Sequence, residues 1–277
     1  PWRWKGGDAT ATRKEDMIEV DAGFRLDGVL KSRRWMRRSA PFPHVLAQEV
    51  FAGEVYAALE AAFKTLLAAP LQAHFNVGPF RHRSAYDVYS VGFTPRMTGP
   101  LSLFVSRAWH DMLAAVLGMT VTGDINGGLH HHRVGSASGR VHNDLNPGWF
   151  LHADDGAGTN VSDERCDYHS GATQEPELIV QERVRAAAVL FYINNPPWRA
   201  GDGGETGLYL SASASEPAAS VPPINNTLLL FEVTPYSYHR FLSNRRNERN
   251  SIIMWLHRTK PEAVSRWGNK IVYWPKS

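Results

Sequence analysis

Over residues 48–67 apolar side chains recur every three to five positions (Val50, Val55, Leu59, Phe63, Leu66), close to the spacing of one helix face, and Pro70 closes the region. A second amphipathic stretch runs from Pro100, a residue tolerated in a first helical turn, to Leu117, with Gly118 placed to cap it. From Val121 the pattern changes to short apolar runs separated by Gly, Pro and Asn. These read as strands at 121–134, 140–145, 186–194, 205–210, 227–233, 236–241, 251–257 and 270–274, and Gly201-Asp-Gly-Gly204 reads as a tight turn between two of them. Helices first and strands afterwards predict an α+β, mainly β fold, with N-terminal helices packed outside one sheet of a sandwich or barrel. The double-sheet jelly roll of cupins is one such form.

Three stretches depart from this pattern. Residues 1–40 are polar and mixed, with Trp2, Trp4 and Trp35 interspersed, and are expected to form an N-terminal extension ahead of a single domain at 41–277. Residues 74–99 interleave aromatics with arginine (Phe80, Arg81, Arg83, Tyr86, Tyr89), as strand and loop near a site entrance. Residues 151–185 are polar and acidic, with Gly156, Gly158 and Gly171. A loop of that length inside a compact domain reads as a lid or specificity insert.

Composition narrows the class. The chain has 277 residues, 43% of them apolar, enough to bury a full core. The formal charge of +3 helps attract an anionic cosubstrate without pointing to nucleic acid. The densest basic run, Lys31-Ser-Arg-Arg-Trp-Met-Arg-Arg38, reads as a solvated or substrate-edge loop. No apolar run approaches bilayer length, no signal-peptide pattern opens the chain, and one cysteine, Cys166, excludes an internal disulfide framework. The expectation is a cytoplasmic protein with no membrane or nucleic-acid partner, its oligomeric state unspecified.

Candidate chemistry centres on Arg140-Val-His-Asn-Asp-Leu-Asn146. Residues two apart on an extended strand share a face, so His142 and Asp144 are expected to converge while Asn143 turns away. A third ligand is available in His239, just beyond the apolar run 227–233. Two histidines and a carboxylate on one face of a metal is the arrangement of non-haem Fe(II) oxygenases. Arg249 lies ten residues beyond His239 and opens another apolar strand, so its guanidinium is expected to enter the barrel and grip a carboxylate, with Ser251 on the same face. Its rivals are Arg245, Arg246 and Arg258, of which the first two sit in a polar turn. Of His130, His131 and His132, only His130 and His132 can share a face; they contact a cosubstrate or substrate, or they pack. Tyr192, Tyr209 and Trp149 either line the pocket or belong to the core. Cys166 with His169 lacks the paired spacing of a structural zinc site.

His142-x-Asp144, His239 and Arg249-x-Ser251 resemble the motif set of the 2-oxoglutarate/Fe(II)-dependent oxygenases, in the prolyl 4-hydroxylase-like branch. Supporting phrases are Pro41-Phe-Pro-His-Val45, Phe191-Tyr-Ile-Asn194, Gly203-Gly-Glu-Thr-Gly-Leu-Tyr209 and Tyr236-Ser-Tyr-His239, so that the likeness spans roughly 41–258. It implies a double-stranded β-helix in which His142, Asp144 and His239 hold Fe(II). Arg249 and Ser251 bind the far carboxylate of 2-oxoglutarate, with His130 and Tyr192 as further cosubstrate contacts. It further implies that O2 is consumed, 2-oxoglutarate is decarboxylated to succinate and CO2, and a substrate C–H bond is oxidised. Related halogenases lack the carboxylate ligand, so Asp144 favours hydroxylation. The expected substrate is a small metabolite, amino acid or natural-product intermediate. The alternatives are a protein or peptidyl hydroxylase of the same family, or a cupin-like metal-binding barrel that does not use 2-oxoglutarate.

Overall fold

The computed structural model describes residues 15–19, 26–69, 80–84, 87–153 and 158–274; Trp2, Trp4, Pro70, Tyr86 and Gly156 lie outside them. Its centre is the strand β9 (Val180–Tyr192), whose residues from Val184 onward are all buried. Such an unbroken apolar run belongs to a strand covered on both faces. Ala187, Val189 and Phe191 pack with the helices on one side, while Ala188, Leu190 and Tyr192 face the barrel interior on the other. The same division splits β12 (Thr227–Glu232): Leu228 and Leu230 go outward, Leu229 and Phe231 inward.

Around this centre the remaining strands are β1 (Glu15–Glu19), β2 (Arg34–Arg38), β3 (His44–Ala47), β4 (Arg81–Arg83), β5 (Val88–Gly92), β6 (Asp124–His132), β7 (Pro147–Leu151), β8 (Asn160–Val161), β10 (Thr206–Tyr209), β11 (Ala219–Val221), β13 (Tyr238–Phe241) and β14 (Arg249–Thr259). The larger sheet runs β1-β2-β3-β12-β9-β14-β6-β5-β4, with β7 added beside β9 and β8 beside β6; the smaller is β11-β10-β13. Nearly every pairing is antiparallel, β6 with β8 being the exception. The two sheets enclose the interior cluster, which makes the fold a double-stranded β-helix. Close backbone approach holds it together at Gly127 and Gly128, where an added Cβ would lie 2.4 Å from the Ile253 carbonyl oxygen and 2.2 Å from that of Val91.

Helix α1 (Gly53–Leu67) and helix α2 (Arg107–Leu117) cover the outer face of the larger sheet through Leu59, Phe63, Trp109 and Met112. The helix expected from Pro100 is interrupted: Pro100–Val105 is a 3-10 turn. Ser106 then caps α2 by accepting the Trp109 N–H, the local competition with the helix backbone that serine offers. Gly118 does cap α2, in the left-handed conformation.

Other local expectations change. Residues 140–145 form no regular strand. Residues 270–274 form none either; the chain leaves β14 through helix α3 (Lys260–Trp267), capped by the Thr259 hydroxyl. The strand expected at 186–194 begins six residues earlier, at Val180, within the polar stretch 151–185. Leu26 and Trp35 of the expected N-terminal extension are buried in the core, and β2 pairs with β3. Among the described residues no helix is long and apolar enough to cross a membrane.

Candidate metal and dicarboxylate site

His142 and His239 are brought together by a two-residue antiparallel bridge in which each backbone N–H donates to the other's carbonyl, at 3.0 and 2.8 Å. Their rings lie 4.4 Å apart. Asp144 does not reach them by strand alternation, because its backbone is left-handed (φ 61°), a conformation that short polar residues tolerate. The turn is fastened by Asn143, whose side chain accepts the Leu145 N–H and donates to the Pro235 carbonyl. Asn143 therefore points away and Asp144 swings back: Oδ1 lies 3.6 Å from His142 Nε2 and Oδ2 3.3 Å from His239 Nε2.

Both imidazoles are oriented alike. His142 Nδ1 sits 2.9 Å from the Arg140 carbonyl oxygen and His239 Nδ1 3.0 Å from that of Ser237. A carbonyl only accepts, so each Nδ1 carries the proton and each Nε2 lone pair faces Asp144. Burial, followed by the nearby His239, pushes the His142 pKa down to about 4, which keeps it an unprotonated donor at neutral pH. The three ligand atoms lie within 4.8 Å of one another, and this is the one such cluster among the described residues. Cys166 and His169 form none.

The carboxylate has further partners. Arg185 Nη1 donates to Asp144 Oδ1 at 2.8 Å and the Trp255 indole N–H to Oδ2 at 2.9 Å. The Arg185 guanidinium lies 3.7 Å over the Trp255 ring. Burial alone would raise the Asp144 pKa, but Arg185 and then the two histidines hold it far below the usual carboxylate range. Arg185 escaped the sequence reading although it opens the apolar run of β9 just as Arg249 opens that of β14.

Arg249 is 2% exposed and lies on the interior face of β14. Its Nη1 donates to Ser251 Oγ at 3.1 Å and its Nη2 to Thr206 Oγ1 at 3.3 Å, while its Nε has no partner. Tyr192 donates its hydroxyl to the same Thr206 oxygen at 2.7 Å, and its ring and that of Phe241 flank the guanidinium. Thr206 is a second residue the sequence reading missed; it stands in the Gly203–Tyr209 phrase but no spacing rule singled it out. Burial lowers the Arg249 pKa, with Tyr192 opposing. Arg258, equally buried, has Glu232 at 2.8 Å and Glu262 at 3.5 Å; Arg249 has no carboxylate among the described residues. Arg246 is exposed beside Asp202.

His130 shares the Arg249 face, and burial together with the Arg249 charge depresses its pKa to about 3. His132 stacks on Phe241 at 4.0 Å, and His131 points the other way, to Asn250. Tyr209 is buried, and Trp149 packs against Gly171. The triad and Arg249 open into one cavity of about 1490 Å³.

Residues 149–257 match the family model of the 2OG-Fe(II) oxygenase superfamily. That segment includes Arg185, His239, Arg249 and Ser251; His142 and Asp144 lie just ahead of it. Among solved structures, the chain is similar to a prolyl-4-hydroxylase from Pseudomonas putida, at 16% identity over 78% of this chain and 92% of that one, TM-score 0.48. It is also similar to a prolyl hydroxylase from Trichoplax adhaerens, solved with a hypoxia inducible factor oxygen degradation domain peptide fragment, at 16% identity over 80% and 86%, TM-score 0.47. A third is the viral collagen prolyl hydroxylase of Paramecium Bursaria Chlorella virus-1, at 13% identity over 78% and 96%, TM-score 0.46. No curated protein is significantly similar to the chain in sequence.

Proposed function

We infer that this chain, a 2OG-Fe(II) oxygenase by its family match and hence a 2-oxoglutarate-dependent dioxygenase, oxidises a C–H bond of a small metabolite, amino acid or natural-product intermediate. The observation that carries the site assignment is the pairing of two features in one cavity: a His-Asp-His cluster with both Nε2 atoms presented, and a buried arginine lacking a carboxylate among the described residues. The donor set fits Fe(II), since imidazole suits iron and one carboxylate leaves coordination positions open. Arg249 fits the far carboxylate of 2-oxoglutarate: a guanidinium held only by neutral hydroxyls is a costly group to bury, and a bidentate anion relieves it.

The chain's own residues then have distinct tasks. His142, Asp144 and His239 would hold the metal. Arg185 and Trp255 fix the Asp144 carboxylate and keep it ionised. Arg249, Ser251 and Thr206 orient the cosubstrate, with Tyr192 bracing Thr206 and His130 beside them on the same sheet face. When bound, Fe(II) with 2-oxoglutarate supplies the hard chemistry, coupling O2 reduction and release of CO2 and succinate to C–H oxidation; the protein supplies orientation and exclusion of side reactions. The cavity of about 1490 Å³ exceeds the roughly 300–1,000 Å³ of ordinary ligand pockets and leaves room for a substrate beside the cosubstrate. The loop at 162–169 walls one side of it.

The test is oxygen-dependent succinate production. The purified protein with Fe(II) and 2-oxoglutarate should form succinate, faster in the presence of a metabolite extract, and the metabolite that gains an oxygen is read by mass spectrometry. Succinate formation unchanged in both Asp144→Ala and His239→Ala would contradict the assignment.

A further inference from the structure

The cavity holds more positive charge than the cosubstrate uses. Arg185 is committed to Asp144, Arg165 to Asp163, and Arg249 to the 2-oxoglutarate carboxylate in the reading above. Arg81, Arg83 and Arg140 line the same cavity, are exposed to it, and have no carboxylate partner among the described residues. Of the acids facing the cavity, Asp144 and Asp163 are paired with Arg185 and Arg165, which leaves Glu164 and the ionised Asp167, whose carboxylate accepts from Ser170 and the backbone N–H of His169.

The register fixes where these charges stand. Arg81 is opposite Ser90, Ser90 opposite His130, and His130 opposite Ser251. Cross-strand partners project from one face, so Arg81 shares the cosubstrate face of the sheet, and Arg83, two residues on, shares it too. Three inter-strand steps separate β4 from β14, roughly 14 Å at the usual spacing. The Arg83 charge is felt by both His130 and His169, on different walls of the cavity. Arg140 also lines the cavity, two residues before His142, whose Nδ1 donates to its carbonyl. The cavity that holds the metal triad and Arg249 is thus also lined by Arg81, Arg83 and Arg140.

We propose that the molecule oxidised is an anion, bearing a carboxylate, phosphate ester or sulfate ester that Arg81 and Arg83 grip on β4, with Arg140 adding to the positive charge of the cavity. Guanidinium forks match such groups in geometry, and a cleft lined by one sign of charge concentrates the opposite sign within it. The separation from Arg249 makes this a second anion subsite, so the bound substrate carries its charge at the end away from the C–H bond presented to the triad. The proposal rests on the oxygenase reading.

The experiment uses the full chain loaded with Mn(II) and 2-oxoglutarate, and measures paramagnetic relaxation of the aromatic protons of phenyl phosphate, phenyl sulfate, phenylacetate and neutral benzyl alcohol. Saturable enhancement is expected for at least one anion and not for benzyl alcohol; the anion that saturates lowest identifies the charged group. Arg81→Gln/Arg83→Gln should weaken that anion at least about tenfold, a loss expected when a charge-assisted fork is removed, and Arg140→Gln should weaken it independently. Equal enhancement by benzyl alcohol, no saturable anion, or unchanged affinity in both variants would overturn the proposal. Failure of the wild type to take up Mn(II) and 2-oxoglutarate, read by electron paramagnetic resonance beforehand, would instead remove the oxygenase reading beneath it.

Discussion

Replacing Arg249 by Met separates a binding role from a structural one, because the two predict opposite signs. In the unliganded protein the guanidinium is 2% exposed and touches only hydroxyls and rings, with Nε unpartnered. Burying a charge without a counter-ion costs several kcal/mol, so its removal should leave the unliganded fold no less stable. Of the hydroxyls it leaves behind, Tyr192 still donates to Thr206 at 2.7 Å, while Ser251 loses its partner, a smaller cost than the buried charge. With cosubstrate the sign reverses. Truncating one partner of a desolvated, hydrogen-bonded ion pair costs about 2–5 kcal/mol, which is roughly 30-fold to several thousand-fold in affinity. The assay is thermal unfolding in Mn(II), with and without 2-oxoglutarate. At a 2-oxoglutarate concentration about 100 times Kd the wild type should gain about 2.7 kcal/mol, several degrees in Tm, and Arg249→Met should gain less than about 1 kcal/mol. The variant's unliganded Tm should equal or exceed that of the wild type. A variant that melts well below the wild type yet keeps the cosubstrate shift would refute the reasoning.

Asp144→Ala should destabilise the metal-free protein by about 3–5 kcal/mol by stranding Arg185, and Asp144→Ala/Arg185→Met should recover most of the loss; urea unfolding of the three proteins checks it. Acid should destabilise the fold: burial holds His130 near 3 and His257 well below its ordinary value, so between about pH 6.5 and 4 the unfolded chain binds more protons and stability falls with pH. The fully buried His257 alone gives a slope of up to ~1.4 kcal/mol per pH unit, to be read from urea midpoints at pH 7.5, 6 and 5; a flat profile would contradict it. Gly128→Ala forces a methyl against the Val91 carbonyl in the β5–β6 pairing and should cost about 1–3 kcal/mol, seen as a lowered Tm with the fold retained.

The architecture was legible where periodicity was long and one-sided. The 3.6-residue pattern located α1 and α2, and the apolar runs located β9, β12 and β14, because burial on both faces leaves little freedom in residue choice. Short elements escaped: β7 and β8 carry too few residues for a period to register, and α3 was announced only by its Thr259-Lys-Pro-Glu262 cap. In the site, His142, Asp144 and His239 converge as their spacing suggested, but by a different route. Strand alternation was the wrong reason for Asp144, whose left-handed turn depends on Asn143 and on Pro235, 92 residues away. Arg185 and Thr206 went unread because their partners are remote in sequence, Asp144 lying 41 residues from Arg185 and Arg249 43 from Thr206. Only the folded register makes them neighbours.

The most direct test of the central claim is an anaerobic titration of Fe(II) and then 2-oxoglutarate into the purified protein, following the visible charge-transfer band of the chelate. The account predicts a band that saturates in the wild type, is absent in His239→Ala, and needs far more 2-oxoglutarate in Arg249→Ala. Iron uptake through His142, Asp144 and His239 with no band at any 2-oxoglutarate concentration would leave a metal-binding barrel and contradict the dioxygenase.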